Sequence, residues 1–511
     1  MKNKNIVESL ILAKLFVIMF FGVSLIACSN GDDGAEGTKT QTIIENTDEG
    51  GGDTPVDPVD PVVQSATAPT AEAKAYNTTK GMSINTVMDG SSPTGTLTAF
   101  TIVKQPDNGV LTGMFSFPEF LIASIVYEPN SGFIGDDNFT YTVTNELGEV
   151  SLPATVALKV NDVAPTTLLQ GRSDGKGIDL VIIADAFTAS EIPTFQTKAQ
   201  EVVDKIFSYN TTLTLQKNSW NVHRIDTVSI SSNLEENTAL ETNLGCDQYS
   251  ATTLCVSPNT LQNAVSAVVP QYEFIIVIVN GPYYRAAASG KFMALPVGGD
   301  PGATAVHELG HAFAGLADEY IELTRLVNTP TVEPIAPNIT INNNLSTVKW
   351  KHWLDDPFIG LYEGGYYLET GVWRPALESF MRVENRPIHS VSQEAWTLAL
   401  YKRLKNGNQS GTYHTKTPVG SPINANETDI SHALGDSVTY SVELSIGTTA
   451  QKVDWYVDDV LVLENSLSFS HGALETNNYK VTASISDTTN TVRNDVNNYS
   501  SGLINWFVTL N

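Results

Sequence analysis

The feature that most constrains this chain is the run His307-Glu-Leu-Gly-His311 inside a segment with helical apolar spacing. Two histidines four apart on a helix point from the same face, one turn apart, and imidazoles so placed can bind one Zn²⁺ through nitrogen. Glu308 then sits beside the open coordination position, where a carboxylate can take a proton from an activated water. Val306, Leu309, Phe313 and Leu316 form the adjoining apolar stripe, predicted to pack the helix onto a sheet.

A catalytic zinc site usually has a third protein ligand. Gly315 follows as a helix-ending residue, and Asp318 lies three residues beyond it and seven past His311. Asp318 is the favoured third ligand. Glu333 or Glu363, arriving from later in the chain, are the competing choices, and Glu319 is expected to point elsewhere. An oxyanion formed during hydrolysis would need a further electrophile. Tyr320, Tyr366, Tyr367 and Arg382 are candidates that the sequence does not rank.

At 511 residues the chain is long enough for about three domains. Its formal net charge of −27 disfavours nucleic-acid partners, since phosphate binding rests on Lys and Arg. Lys2 and Lys4 precede an apolar run from Leu15 to Ile26, too short to cross a bilayer core of about 30 Å, which reads as an export signal. The ending Leu25-Ile26-Ala27-Cys28 resembles the bacterial lipoprotein cleavage box, which implies lipid on Cys28 and membrane contact only through it. The acidic run after Cys28 resembles the signal that sorts some Gram-negative lipoproteins to the cell surface. Cys246 and Cys255, nine apart in an exported chain, predict a loop-closing disulfide.

These signals divide the chain into a signal peptide (1–27), an acidic and proline-rich tether (28–66), a β-sandwich (67–163), an α/β domain (164–405), a linker (406–419) and a second β-sandwich (420–511). In the first sandwich Phe139-Thr-Tyr-Thr-Val-Thr144 alternates with period two. Pro106-Asp-Asn-Gly109 and Tyr127–Asp136 resemble bacterial cadherin-like and Ig-like modules, a likeness that also raises Ca²⁺ at Asn161-Asp162. In the α/β domain Ile178–Ile183 and Phe274–Val279 read as buried strands. Thr188-Ala-Ser-Glu191 reads as a capping box before a helix, and Ser390 with Gln393 as another before Val391–Leu404.

The stretch His307-Glu-Leu-Gly-His-Ala-Phe-Ala-Gly-Leu-Ala-Asp-Glu-Tyr320 resembles the signature of the bacterial IgA-peptidase family of metallopeptidases. The likeness runs from about 166 to 405, through Gly360–Tyr366, Trp373-Arg-Pro375 and Ser379–Arg382. It implies one catalytic Zn²⁺, a metzincin-like fold for the α/β (zincin) domain that lies between the two Ig-like sandwiches, Asp318 as third ligand and Met381 in a turn beneath the metal. Together with the export signal, these readings predict an exported zinc endopeptidase acting on proteins or glycoproteins. Two departures stand out: no cysteines accompany Met381, and Ala184-Asp-Ala-Phe187 replaces a more usual glycine-rich turn. A surface-anchored binding protein with an inactive peptidase-like domain, or a zinc amidase on cell-wall peptides, are the alternatives.

Overall fold

A computed structural model describes residues 65–511 except 118–121, 173–174, 235–237, 247–249, 282–283, 326, 406–408 and 473–476. The export signal, Cys28 and nearly all of the tether lie outside the described residues. By compactness the chain divides into two units: one includes Ile84–Glu128 and Asp137–Ala157, the other Leu158–Asn511. The whole is multidomain and mostly β, with few helices.

The N-terminal module has two four-stranded sheets. Antiparallel pairs join Ile84–Ser91 to Ile122–Pro129 and Leu97–Lys104 to Gly135–Asn145. Phe139, Tyr141 and Val143 are fully buried, as their alternation predicts.

The sheet that carries the site has six strands: β1 (Thr166–Gln170), β2 (Ile178–Asp185), β3 (Trp220–Ile225), β4 (Phe274–Val279), β5 (Ala287–Ser289) and β6 (Phe292–Pro296). They lie in the order β5-β6-β4-β2-β3-β1. The inner four strands are parallel, and the two edge strands run antiparallel to their neighbours. Burial on both faces explains why β2 and β4 are continuously apolar. Leu180, Ile182, Ile276 and Ile278 pack with Val202 and Ile206 of α1 (Ile192–Ser208) and with Val306 and Leu309. Val181, Ile183, Ile275 and Val277 face the other way, against Leu261 and Val265 of α3 (Pro258–Ser266); α2 is the short helix Thr211–Gln216.

At the end of β2, Ala186 has φ 60°, the left-handed region that a glycine enters freely. Asp185 holds the turn: its buried carboxylate accepts from the backbone N–H groups of Ala186, Leu240 and Thr242 and from the Thr238 hydroxyl. Cys246 and Cys255 are disulfide-bonded, with Cα atoms 5.8 Å apart.

Several expectations need correction. The Thr188 box is half-made: Glu191 accepts the Thr188 N–H, but the Thr188 hydroxyl donates to the same carboxylate, and α1 starts later, at Ile192. Pro193 has no N–H to be capped there. Ser390 does not cap the closing helix α5 (Ser390–Leu404); His389 does, through Nδ1. At the junction raised for calcium, Asn161 donates to the Thr78 carbonyl and Asp162 lies 4.0 Å from Lys80 Nζ.

The stretch expected as a linker carries β9 (Tyr413–Thr417), which pairs with β12 (Ser437–Leu444) in a three-stranded sheet with β15 (Ser468–Gly472). A six-stranded sheet joins β10 (Ser421–Asn424), β11 (Glu427–His432), β13 (Gln451–Val457), β14 (Val460–Leu463), β16 (Tyr479–Asp487) and β17 (Ser501–Leu510). Nor is this sandwich a free module. The buried Glu394 carboxylate of α5 accepts the backbone N–H groups of Arg493 and Asn494, the Trp353 indole N–H and a bond with His352. The Tyr401 hydroxyl donates to Asp487.

Candidate metal centre

The histidines stand on α4 (Pro301–Ala312). Asp300 caps it, accepting the Ala303 N–H at 2.9 Å, and Pro301 opens its first turn. Val306, Leu309, Phe313 and Leu316 are all buried in the core that faces the sheet, as the stripe requires. Beneath the helix a Cβ on Gly310 would stand 2.6 Å from Met381 Sδ and 3.0 Å from the Phe380 ring, so glycine is what lets the methionine turn approach. Met381 is fully buried, an apolar floor under the histidine helix.

Gly315, at φ 67°, turns the chain out of the helix. Its N–H bonds to the His311 carbonyl, and the Leu316 N–H to the Gly310 carbonyl. Asp318 is thereby brought back over the histidines: its Oδ1 lies 3.1 Å from His307 Nε2 and 3.2 Å from His311 Nε2. Among the described residues these three side chains form the cluster of donors close enough to hold one metal ion. The sequence-predicted alternatives do not join it. Glu333 pairs with Lys349 at 3.0 Å, and Glu363 accepts the Gly371 N–H.

The tautomers fit a metal. His307 Nδ1 lies 3.0 Å from the Phe380 carbonyl and His311 Nδ1 lies 2.7 Å from the Leu316 carbonyl. A carbonyl only accepts, so each Nδ1 carries the hydrogen and each neutral ring presents its Nε2 lone pair to the cluster. Asp318 Oδ1 is buried and faces both Nε2 atoms. Two imidazole nitrogens and a carboxylate oxygen at about 3 Å are a donor set that suits a borderline metal ion.

Without a metal, protons take that place. Burial works to lower the His307 pKa, but the Asp318 hydrogen bond and the charges of Glu308 and Asp318 outweigh it and hold it up at about 9. His311 is raised for the same reasons. Burial would raise Asp318, yet the two imidazoles keep it well below the usual carboxylate range. Burial pushes Glu308 up, opposed by both histidines. A carboxylate so shifted is a better base near neutral pH.

Asp318 is held by partners that no local sequence pattern marks. Tyr367 donates its hydroxyl to Asp318 Oδ2, and the Tyr366 N–H bonds to the Asp318 carbonyl. Both tyrosines sit at positive φ, 53° and 70°, in the turn between β7 (Tyr362–Gly365) and β8 (Leu368–Arg374). Asn338 brackets the segment, accepting the Ala317 N–H at 2.9 Å and donating to the Ala317 carbonyl at 2.8 Å and to Glu319 Oε1 at 2.9 Å. Glu319 is fully buried and turned away from the cluster, with its Oε1 2.9 Å from His389 Nε2. That bond uses the Nε2 hydrogen and leaves Nδ1 free to cap α5. Of the other electrophile candidates, the Tyr320 hydroxyl receives Arg285 at 3.0 Å and Arg382 donates to the Leu377 carbonyl.

No curated protein matches the chain. Solved structures do so over short stretches. One is a quinonprotein alcohol dehydrogenase-like protein from Bacteroides thetaiotaomicron, at 13% identity over 19% of this chain and 20% of that one, TM-score 0.15. An endo-fucoidan hydrolase from glycoside hydrolase family 107 matches at 15% identity over 19% and 16%, TM-score 0.16. Fibronectin(III)-like modules of Clostridium thermocellum match at 11% identity over 16% and 89%, TM-score 0.12. The chain thus spans a fifth or less of the first two, and at these TM-scores none bears on fold or function. Residues 167–358, which hold both histidines, Glu308 and Asp318, match the model of the IgA Peptidase M64 family, and residues 65–159 match that of a bacterial Ig domain, so the family resemblance carried by the His307–Tyr320 signature is shown.

Proposed function

We propose that this protein is a zinc-dependent endopeptidase with a metzincin-like catalytic domain. The observation that carries the reading is the convergence of His307 Nε2, His311 Nε2 and Asp318 Oδ1 within 4.8 Å of one another, with Glu308 on the same helix. The peptidase family match over 167–358 supports it. A Zn²⁺ held by these three residues would supply a Lewis acid and lower the pKa of water beside it. Glu308 takes the proton of the attacking water and returns it to the leaving amine. The carbonyls of Phe380 and Leu316 keep both imidazoles in the Nδ1–H form, and Tyr367 fixes the Asp318 carboxylate.

The same reading makes the chain an exported lipoprotein, held at a bacterial surface through Cys28 and acting on extracellular proteins or glycoproteins. The apolar run ending at Cys28 and the bacterial Ig domain support this part.

The test is proteomic cleavage-site profiling of wild type against Glu308→Gln, with zinc measured on both. The expected outcome is near-stoichiometric zinc in both proteins and cleavage only in wild type. Equal cleavage by the two would overturn the role of Glu308. Zinc without cleavage in wild type would favour a surface binding protein. A Cys28→Ala variant should lose incorporation of labelled fatty acid.

A further inference from the structure

A cleft of about 520 Å³ opens beside His311, between the start of β4, the β5–β6 turn and the last turn of α5. Two cations line it. Lys291 Nζ lies 4.2 Å from the centroid of the Tyr272 ring and 5.5 Å from that of Phe292. The Arg403 guanidinium lies 4.7 Å from the Phe274 centroid and 5.2 Å from that of Phe313, with one N–H reaching the Ala312 carbonyl at 3.4 Å. Aromatic faces thus position both groups, and neither makes an ion pair among the described residues. Several other basic side chains of the same unit are ion-paired: Arg285 with Glu322, Lys349 with Glu333, Arg172 with Glu443.

One carboxylate also lines the cleft, Glu273. Its Oε2 accepts the Asp179 N–H at 3.0 Å; burial pushes its pKa up and the Arg403 charge pulls it down, so it offsets one of the two cations. The balance of the cleft is therefore positive on a chain of net charge −27. A positive concavity on an acidic protein focuses the field and draws anionic segments to it.

We propose that this cleft is a specificity subsite for an acidic residue of the substrate, a glutamate or aspartate close to the scissile bond. The assignment rests on the peptidase reading above. The Arg403 guanidinium offers a planar fork of donors that matches a carboxylate, Lys291 adds a second charge, and Tyr272 and Phe274 give apolar walls for the methylene stem. His311 is at once a wall of the cleft and a member of the metal cluster, which sets the acidic side chain next to the reacting bond.

The experiment uses the full chain and a peptide series in which one glutamate, or its uncharged isostere glutamine, is walked through every position. At one position wild type should prefer glutamate by about tenfold in kcat/KM, the scale of a desolvated charge-assisted contact, and the preference should shrink as salt is raised. Lys291→Gln should reduce the ratio and Lys291→Glu should bring it to one or below. Lys291 lies in a short surface turn, so both variants fold; Arg403→Met tests the second cation, with circular dichroism to check its packing. A ratio of one at every position in wild type, or a ratio unchanged in both Lys291 variants, overturns the subsite. If wild type cleaves no peptide, the peptidase reading fails. The subsite then stands or falls on affinity measured by fluorescence anisotropy, where equal binding of glutamate and glutamine peptides overturns it.

Discussion

Tyr367 donates its hydroxyl to Asp318 Oδ2, the oxygen opposite the one that faces the two histidines. Ligating carboxylates held in this way lose about 10- to 100-fold in metal affinity when the outer partner is removed. Tyr367→Phe should weaken zinc binding by about tenfold or more, read by competition with a chromophoric chelator, with little change in thermal unfolding of the metal-free protein.

Gly310→Ala sets two effects against each other. Alanine favours a helix by about 1 kcal/mol over glycine. Here its Cβ would meet Met381 Sδ at 2.6 Å, and overpacking of a filled core costs about 1–3 kcal/mol. The clash should win, with a lower urea midpoint and weaker zinc binding as the Phe380 carbonyl is pushed away from His307.

Asn338→Ala removes both hydrogen bonds to Ala317 and one donor to the buried Glu319. Leaving such groups unpaired costs about 1–3 kcal/mol each, so a loss of about 3 kcal/mol or more in chemical denaturation is expected. Asn338→Asp should not rescue it, since a second carboxylate would face Glu319.

With metal chelated, stability should depend on pH through the cluster. The folded pKa of His307 is raised from 6.5 to about 9, so the folded state keeps a proton that the unfolded chain releases. This contribution is complete below about pH 6.5 and is lost as pH climbs through about 9. Asp318, held low, contributes in the opposite sense: its share is present above the ordinary carboxylate pKa and is lost only in strong acid. The melting temperature of the chelated protein should fall between pH 6 and 9, and saturating zinc should flatten that fall.

Deleting β9–β17 should unfold the domain that bears α4. The deletion strips Glu394 of the Arg493 and Asn494 N–H groups and leaves the Tyr401 hydroxyl without Asp487. Limited proteolysis of the truncated chain is expected to show no protected core, where the full chain shows one.

The histidine helix was legible because local rules agree there: an apolar stripe and a glycine exit fall within one short window. Asp318 was legible through its step from Gly315, once that glycine was read as the end of the helix. The partners that hold Asp318 were not. Tyr367, Asn338 and His389 have no local pattern that marks them, and they meet the ligand segment only through the tertiary fold. Tyr367 stood among the electrophile candidates, but its hydroxyl is engaged with Asp318. The C-terminal strands were recognised by alternation. Their dependence on α5 was hidden, because a glutamate accepting backbone N–H groups from residues 493 and 494 looks in sequence like any surface acid.

The separation of the histidines from the residues that hold Asp318 also sets an order of events. During synthesis the His307–His311 pair is made before Tyr367 and Met381. The growing chain therefore carries two metal-binding side chains without the clamp that presents the third. The three-donor cluster comes into being only when the chain that carries Tyr367 and Met381 folds, so any metal taken up there enters after that segment is made.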